Sequence, residues 1–157
     1  MTLNIPNEIK KELEECKKYG GIDKIPLKKL AKIFLILIFQ EVKKKKIALI
    51  EDAVIRIKGG KRAKFDFIIR DLSDGVNIGV WVKDWKRPVG SNVITHFQYL
   101  INNSNLNGGI IIGSNFSVSA SSLAEKSRSL WIFSRGEIVS RIRQLKPEFL
   151  AYLEGKS

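Results

Sequence analysis

Asp66 and Lys83 are the residues whose types and spacing point most directly to chemistry. They lie within the segment Lys64 to Gly90, which reads K-F-D-F-I-I-R-D, a turn at Ser73-Asp74-Gly75, then V-N-I-G-V-W-V-K-D-W-K-R-P-V-G. Alternating apolar residues around a glycine turn predict a strand hairpin, with an acid at the start of its first strand and a lysine at the end of its second. Phosphodiester hydrolysis by Mg²⁺ needs oxygen ligands that fix the metal beside the scissile phosphate. It also needs a cation to stabilise developing charge or to help position the attacking water. An acid on one strand and an E-x-K on its neighbour supply both, because a strand period of two puts the Glu and Lys on one face. Asp66 and Lys83 match the outer members of that scheme. The position two residues before the lysine holds Trp81 in place of the carboxylate.

Other carboxylates stand close in sequence. Asp84-Trp85-Lys86 is itself a D-x-K, although strand parity turns Asp84 away from Lys83 unless a bulge or twist intervenes. Glu51 or Asp52 offers an acid from the preceding strand. Each residue also has a structural reading. Asp66 with Lys83 can be a simple ion pair, worth little if exposed. Trp81 can fill the space of a metal site or stack on an unpaired base. Trp85 can shield the strand end, with Lys86 and Arg87 as phosphate contacts. His96 is the only histidine, and one histidine does not make a metal cluster.

The elements that must hold these residues follow from periodicity and turn signals. Pro6 to Tyr19 predicts a helix with Ile9, Leu13 and Cys16 as its apolar stripe, stopped by Gly20-Gly21. Pro26 suits the first turn of a second helix reaching about Lys44, apolar nearly all round and closed by the run Lys43 to Lys46. Ile47 to Lys58 predicts a strand, and Gly59-Gly60-Lys61-Arg62 a basic turn. In the second hairpin strand Val76, Ile78, Val80 and Val82 alternate with Asn77, Gly79, Trp81 and Lys83, which implies one buried face and one polar or functional face.

Beyond Pro88 and Gly90, Ser91 is placed to cap a helix bearing Val93, Ile94, Phe97, Leu100 and Ile101. Gly109 to Gly113 predicts a short buried strand. Ser117 or Ser119 caps the next helix, and Leu130 to Phe133 is another strand, together forming a parallel crossover. Arg135-Gly136 reads as a turn before a helix over Glu137 to Leu145, and Pro147 starts a last short one. The expected fold is α/β, a mixed sheet of about five strands with helices on both sides. The expected organisation is an N-terminal helix over 1–21, appendage or integral, and one α/β domain over 22–157.

Bulk composition narrows the partner. The 157 residues carry 28 Lys+Arg against 16 Asp+Glu, a formal charge of +12, with a pI near 9.9. That imbalance points to a polyanion, nucleic acid before membrane. A single cysteine, Cys16, excludes an intramolecular disulfide framework and a Cys-based zinc site, and suits a reducing cytoplasm. The apolar run Ile33 to Phe39 is far short of the roughly 20 residues that span a bilayer.

From about Leu27 to Val139 the chain resembles the PD-(D/E)XK nuclease superfamily, and within it the Mrr-like restriction endonuclease catalytic domains. Asp66 before an apolar strand, V-W-V-K-D-W-K-R-P-V-G, the helix V-I-T-H-F-Q-Y-L, G-G-I-I-I-G-S-N-F-S and S-S-L-A-E-K leading to L-W-I-F carry the resemblance. It implies a mixed sheet flanked by helices, DNA as partner, a Mg or Mn ion if catalytic, and commonly a homodimer. It implies a catalytic set of Asp66, Lys83, a relocated Asp84 and Gln98, with Asp66 and Asp84 as metal ligands. Two departures stand out. Trp81-Val82-Lys83 replaces the family's E-x-K, and no acid falls at the family's helical glutamate, around Lys28 to Ile33; Glu41 comes late. A DNA-facing surface is expected from Lys58, Lys61, Arg62, Lys64, Trp85, Lys86 and Arg87, with Ser114, Asn115 and Ser117 where a strand gives way to a helix. The reading favoured is DNA binding by a nuclease-like domain whose metal site is incomplete. The alternatives are an active Mg- or Mn-dependent endonuclease and a non-catalytic assembly protein on the same fold.

Overall fold

The computed structural model describes residues 7–42 and 44–155. Five strands form one sheet in chain order: β1 (Ile47–Arg56), β2 (Arg62–Asp71), β3 (Asn77–Lys83), β4 (Gly108–Gly113) and β5 (Leu130–Ser134). β1, β2 and β3 run antiparallel; β3, β4 and β5 run parallel. The mixed sheet matches the sequence expectation. Short glycine-rich turns allow the antiparallel half, with Gly59, Gly60 and Gly75 all at positive φ. Helical crossovers are required for the parallel half.

Helices cover both faces. On one lie α1 (Asn7–Lys17), α2 (Leu27–Ile36), α5 (Arg135–Leu145) and α6 (Pro147–Leu153), packed on Phe67, Ile69, Val80, Ile110 and Ile112. On the other lie α3 (Ser91–Asn102) and α4 (Val118–Glu125), packed on Phe65, Ile68 and Ile111. The stripe Ile9, Leu13 and Cys16 is fully buried, so α1 is seated in the core of this layer. Arg135 ties the turn before α2 to the start of α5 through the carbonyls of Ile22 (2.6 Å) and Ile25 (2.7 Å).

Several boundaries differ from expectation. The proposed helix start at Pro6 and the lysine Lys43 lie outside the described residues. α2 ends at Ile36 and continues as a π-helical segment over Leu37–Val42, with Pro26 as its N-cap residue. Ser91 does not cap α3: Gly90 holds the N-cap position, with no side-chain bond. Ser117 does cap α4, accepting from the Ala120 amide. Arg135-Gly136 is no turn. Ser134 and Glu137 form a reciprocal capping box, and the helix starts at Arg135 itself. The face of β3 expected to be polar or functional is partly covered: Leu106 and Phe65 lie over Gly79, and Phe97 of α3 packs on Trp81. Phe97 lies so close over Gly109 that a Cβ there would overlap its ring. α3 therefore rests directly on β4, and β3 stays half-buried at both ends, with Trp81 and Lys83 reaching a surface cavity.

Candidate functional site

The site forms where two strands part. β2 pairs with β3 only from Phe67↔Val80 to Arg70↔Asn77. Beyond Phe67, β2 continues along β1, while Trp81 to Lys83 continue along β4. Two side chains bridge the fork. Asp66 Oδ2 accepts from the Val82 amide at 2.7 Å, and Trp81 Nε1 donates to the Lys64 carbonyl at 2.8 Å. Both take backbone groups that a continued ladder would have paired, so the fork leaves neither polar group stranded.

The fork coincides with a change of face in β2. Phe67 packs among α1, α2, α5 and α6, whereas Phe65 packs under α3. Opposite this switch, between the pairs Glu51↔Phe67 and Ala53↔Phe65, Asp52 adopts φ 50°. Left-handed backbone is tolerated by Asp better than by most residues. Asp52 and Asp66 are thereby brought to the same ammonium. Lys28 Nζ bonds Asp52 Oδ1 at 2.5 Å and lies 3.8 Å from Asp66 Oδ1. The hydrogen bond to Asp52 raises the Lys28 ammonium above the usual lysine range; burial opposes the shift, and the charges of Asp52, Asp66 and Glu51 support it.

Lys28 was not singled out from sequence, yet a signal existed. It stands in the first turn of α2, which contains no acid, and cations are unfavourable at the positive end of a helix dipole. The unfavourable placement is offset from outside the helix. Lys28 meets Asp52 and Asp66, Lys29 meets Glu15 at 3.3 Å, and Lys32 meets Glu12 at 2.7 Å and Glu51 at 3.1 Å. Asp84 completes the pattern. Its Oδ2 accepts from the Leu27 amide at 3.2 Å, and its Oδ1 accepts from Ser114 Oγ at 3.4 Å. An acid on the exposed N–H groups of a helix start satisfies both a donor and the dipole.

The expected site residues therefore divide. Asp66, Lys83 and Trp81 share the fork, but no ion pair joins Asp66 to Lys83 among the described residues. Lys83 instead places its ammonium 4.1 Å from the Trp81 ring and 5.4 Å from the Trp85 ring, and Arg87 lies 4.7 Å from the Trp85 ring. Gln98 is engaged elsewhere, accepting from Ser127 at 2.7 Å and donating to Asn102 at 2.8 Å. Glu51 belongs to Lys32.

A Mg²⁺ or Mn²⁺ ion wants several oxygen ligands around it. Asp66 has one oxygen on an amide and the other facing an ammonium. Asp84 is held on α2 and Ser114. Among the described residues no group of three or more Asp, Glu, His or Cys side chains gathers to hold a metal. The Lys28 ammonium occupies the space between Asp52 and Asp66, a poor fit for a divalent cation at the same oxygens while it stays there.

Beside the fork, a cavity of about 700 Å³ lies between the β1–β2 turn and α3. Exposed Lys61, Arg62 and Lys64 line one side, His96 and Tyr99 the other, and Trp81 and Lys83 the end. Lys58 is exposed in the same turn. Lys86 and Arg87 project from the loop after β3, which is tied to the β4–α4 loop by a bridge between Val89 and Phe116 and by the Val89 amide on the Asn115 carbonyl at 2.9 Å. Ser114 and Ser117, expected near an anion, spend their hydroxyls on Asp84 and on the α4 cap. Among the described residues, no helix is long and apolar enough to cross a membrane.

Comparison with known proteins agrees with this architecture. The family model of the restriction endonuclease Mrr catalytic domain matches residues 34–142. No curated protein matches the chain. Among solved structures, a protein of unknown function, AF1548, is similar with a TM-score of 0.52 at 13% identity, covering 78% of this chain and 66% of that one. A repair endonuclease from Pyrococcus abyssi gives a TM-score of 0.43 at 19% identity over 64% of this chain and 43% of its own. The DNA modification-dependent restriction endonuclease AspBHI gives 0.49 at 13% identity over 98% of this chain and 40% of its own. The chain thus spans less than half the length of either endonuclease.

Proposed function

The chain belongs to the Mrr-type restriction endonuclease family, and from that premise we propose that it binds DNA through a nuclease fold whose metal-dependent phosphodiesterase site is incomplete. The Lys28 ammonium beside Asp66 carries this reading. Where the chemistry calls for a divalent cation held by several carboxylates, one carboxylate faces a lysine, and Trp81 occupies the position of a second. The surrounding cations suit a phosphate backbone: Lys58, Lys61, Arg62 and Lys64 on one side of the fork, Lys83, Lys86 and Arg87 on the other. Contact between Lys83, Arg87 and the tryptophan rings holds two of these charges in place before any partner arrives.

Affinity for duplex DNA is then mainly electrostatic. Fluorescence anisotropy across a salt series tests it. The logarithm of affinity should fall linearly with the logarithm of salt, at about 0.9 per phosphate neutralised. Lys61→Ala, Arg62→Ala and Lys64→Ala should each flatten the slope by about 1 without changing sequence preference. A salt-insensitive affinity, or none, overturns the proposal. An active endonuclease is the second reading. It uses Asp66, Lys83 and a relocated carboxylate, first of all Asp84, whose Oδ2 here accepts from the Leu27 amide. A homodimer in a reducing cytoplasm is the setting that the family resemblance and the lone cysteine suggest.

A further inference from the structure

The cavity beside the fork has features that a surface made only for duplex phosphates does not need. Tyr99 is 49% exposed and His96 is exposed, their rings within 12° of parallel at 6.4 Å between centroids. Behind them Trp81 meets His96 at 5.8 Å and Phe97 at 4.8 Å, and its indole nitrogen is fixed on the Lys64 carbonyl. The result is an aromatic wall partly open to solvent. Lys61, Arg62 and Lys64 line the same cavity. Four cations on the lining, Lys61, Arg62, Lys64 and Lys83, outnumber its two acids, Asp52 and Asp66, which share Lys28. The net charge presented to the cavity is therefore positive.

A ligand complementary to this cavity carries an anionic group and a flat ring. At about 700 Å³ the cavity is within the range of small-molecule sites. Base pairs stacked in a duplex hide their ring faces, whereas an unpaired nucleotide exposes one. Stacking on aromatic side chains beside a cationic groove is the general chemistry of single-strand recognition. We propose that this cavity takes an unpaired nucleotide of a DNA strand. The base lies against Tyr99 and His96, and its phosphates meet Lys61, Arg62 and Lys64. The inference rests on the DNA-binding reading above and adds the form of DNA that is preferred.

The test compares anisotropy on a blunt duplex with the same duplex carrying a short single-stranded gap, at one salt concentration. Wild type should bind the gapped form about tenfold more tightly, the scale of one stacked base. Tyr99→Ala should erase that preference and leave blunt-duplex affinity unchanged, while Tyr99→Phe keeps it. Circular dichroism confirms that the variants are folded, as expected for a half-exposed position. Free deoxynucleoside monophosphate should compete only weakly. Equal affinity of wild type for the two duplexes overturns the inference while the DNA-binding reading stands. So does a preference that survives Tyr99→Ala, or strong competition by the free nucleotide, which would make the cavity a mononucleotide site. Failure to bind either duplex overturns the DNA-binding reading itself.

Discussion

The Lys28 ammonium lies 3.8 Å from Asp66 Oδ1 while bonded to Asp52, so one side chain from the start of α2 is shared by two acids on neighbouring strands. A cation and an ammonium compete for the same oxygens. Replacing Lys28 and Trp81 with acids therefore reverses the chemistry of the fork. In Lys28→Glu/Trp81→Glu, two new carboxylates stand beside Asp66. Electron paramagnetic resonance of added Mn²⁺ should show a bound ion in the double variant and none at the same concentration in wild type. Wild-type binding that Asp66→Ala abolishes would contradict this account.

The same contacts set a pH dependence. Lys28 is raised above its ordinary value of 10.5, chiefly by Asp52. A lysine raised on folding stabilises the fold fully below its unfolded value, and the contribution is lost as pH rises through the folded value. The stability difference between wild type and Lys28→Met should be constant from neutral pH to about 10 and shrink above it. Urea unfolding at a series of pH values measures this. A difference that grows with alkalinity would contradict the ion-pair assignment.

Asp84 holds the start of α2 through the Leu27 amide. Asp84→Ala removes the acceptor from the Leu27 amide and should cost about 1 kcal/mol, as loss of a helix cap usually does. Asp84→Asn, which keeps an acceptor, should cost less. Thermal unfolding distinguishes them. DNA affinity should be unchanged or slightly higher in both, since one negative charge is removed from a basic protein. A large loss of DNA cleavage in Asp84→Asn, with stability intact, would instead favour the catalytic reading.

Much of the architecture was legible because local signals agreed with it. The period-two alternation of β3, the glycines flanking β4 and the apolar spacing of α3 each specify one element. The capping box at Ser134 was legible too, as Ser followed three residues later by Glu, but the glycine at 136 suggested a turn. Strand parity correctly turned Asp84 away from Lys83, yet could not show what it turned toward. Its partner, the start of α2, is 57 residues away in sequence. The fork was invisible for a related reason. Pairing ends at Phe67↔Val80 because of the face switch at Asp66 and the ring of Trp81, and no local pattern encodes that. Lys28 left only the weak signal of a lysine at the wrong end of a helix.

The most direct test incubates wild-type protein with labelled gapped and supercoiled DNA, once with EDTA and once with Mn²⁺, and reads binding and cleavage in the same samples. The account predicts equal, salt-sensitive binding in both conditions and intact DNA throughout. Mn²⁺-dependent cleavage that disappears in Asp66→Ala and Lys83→Ala would contradict it.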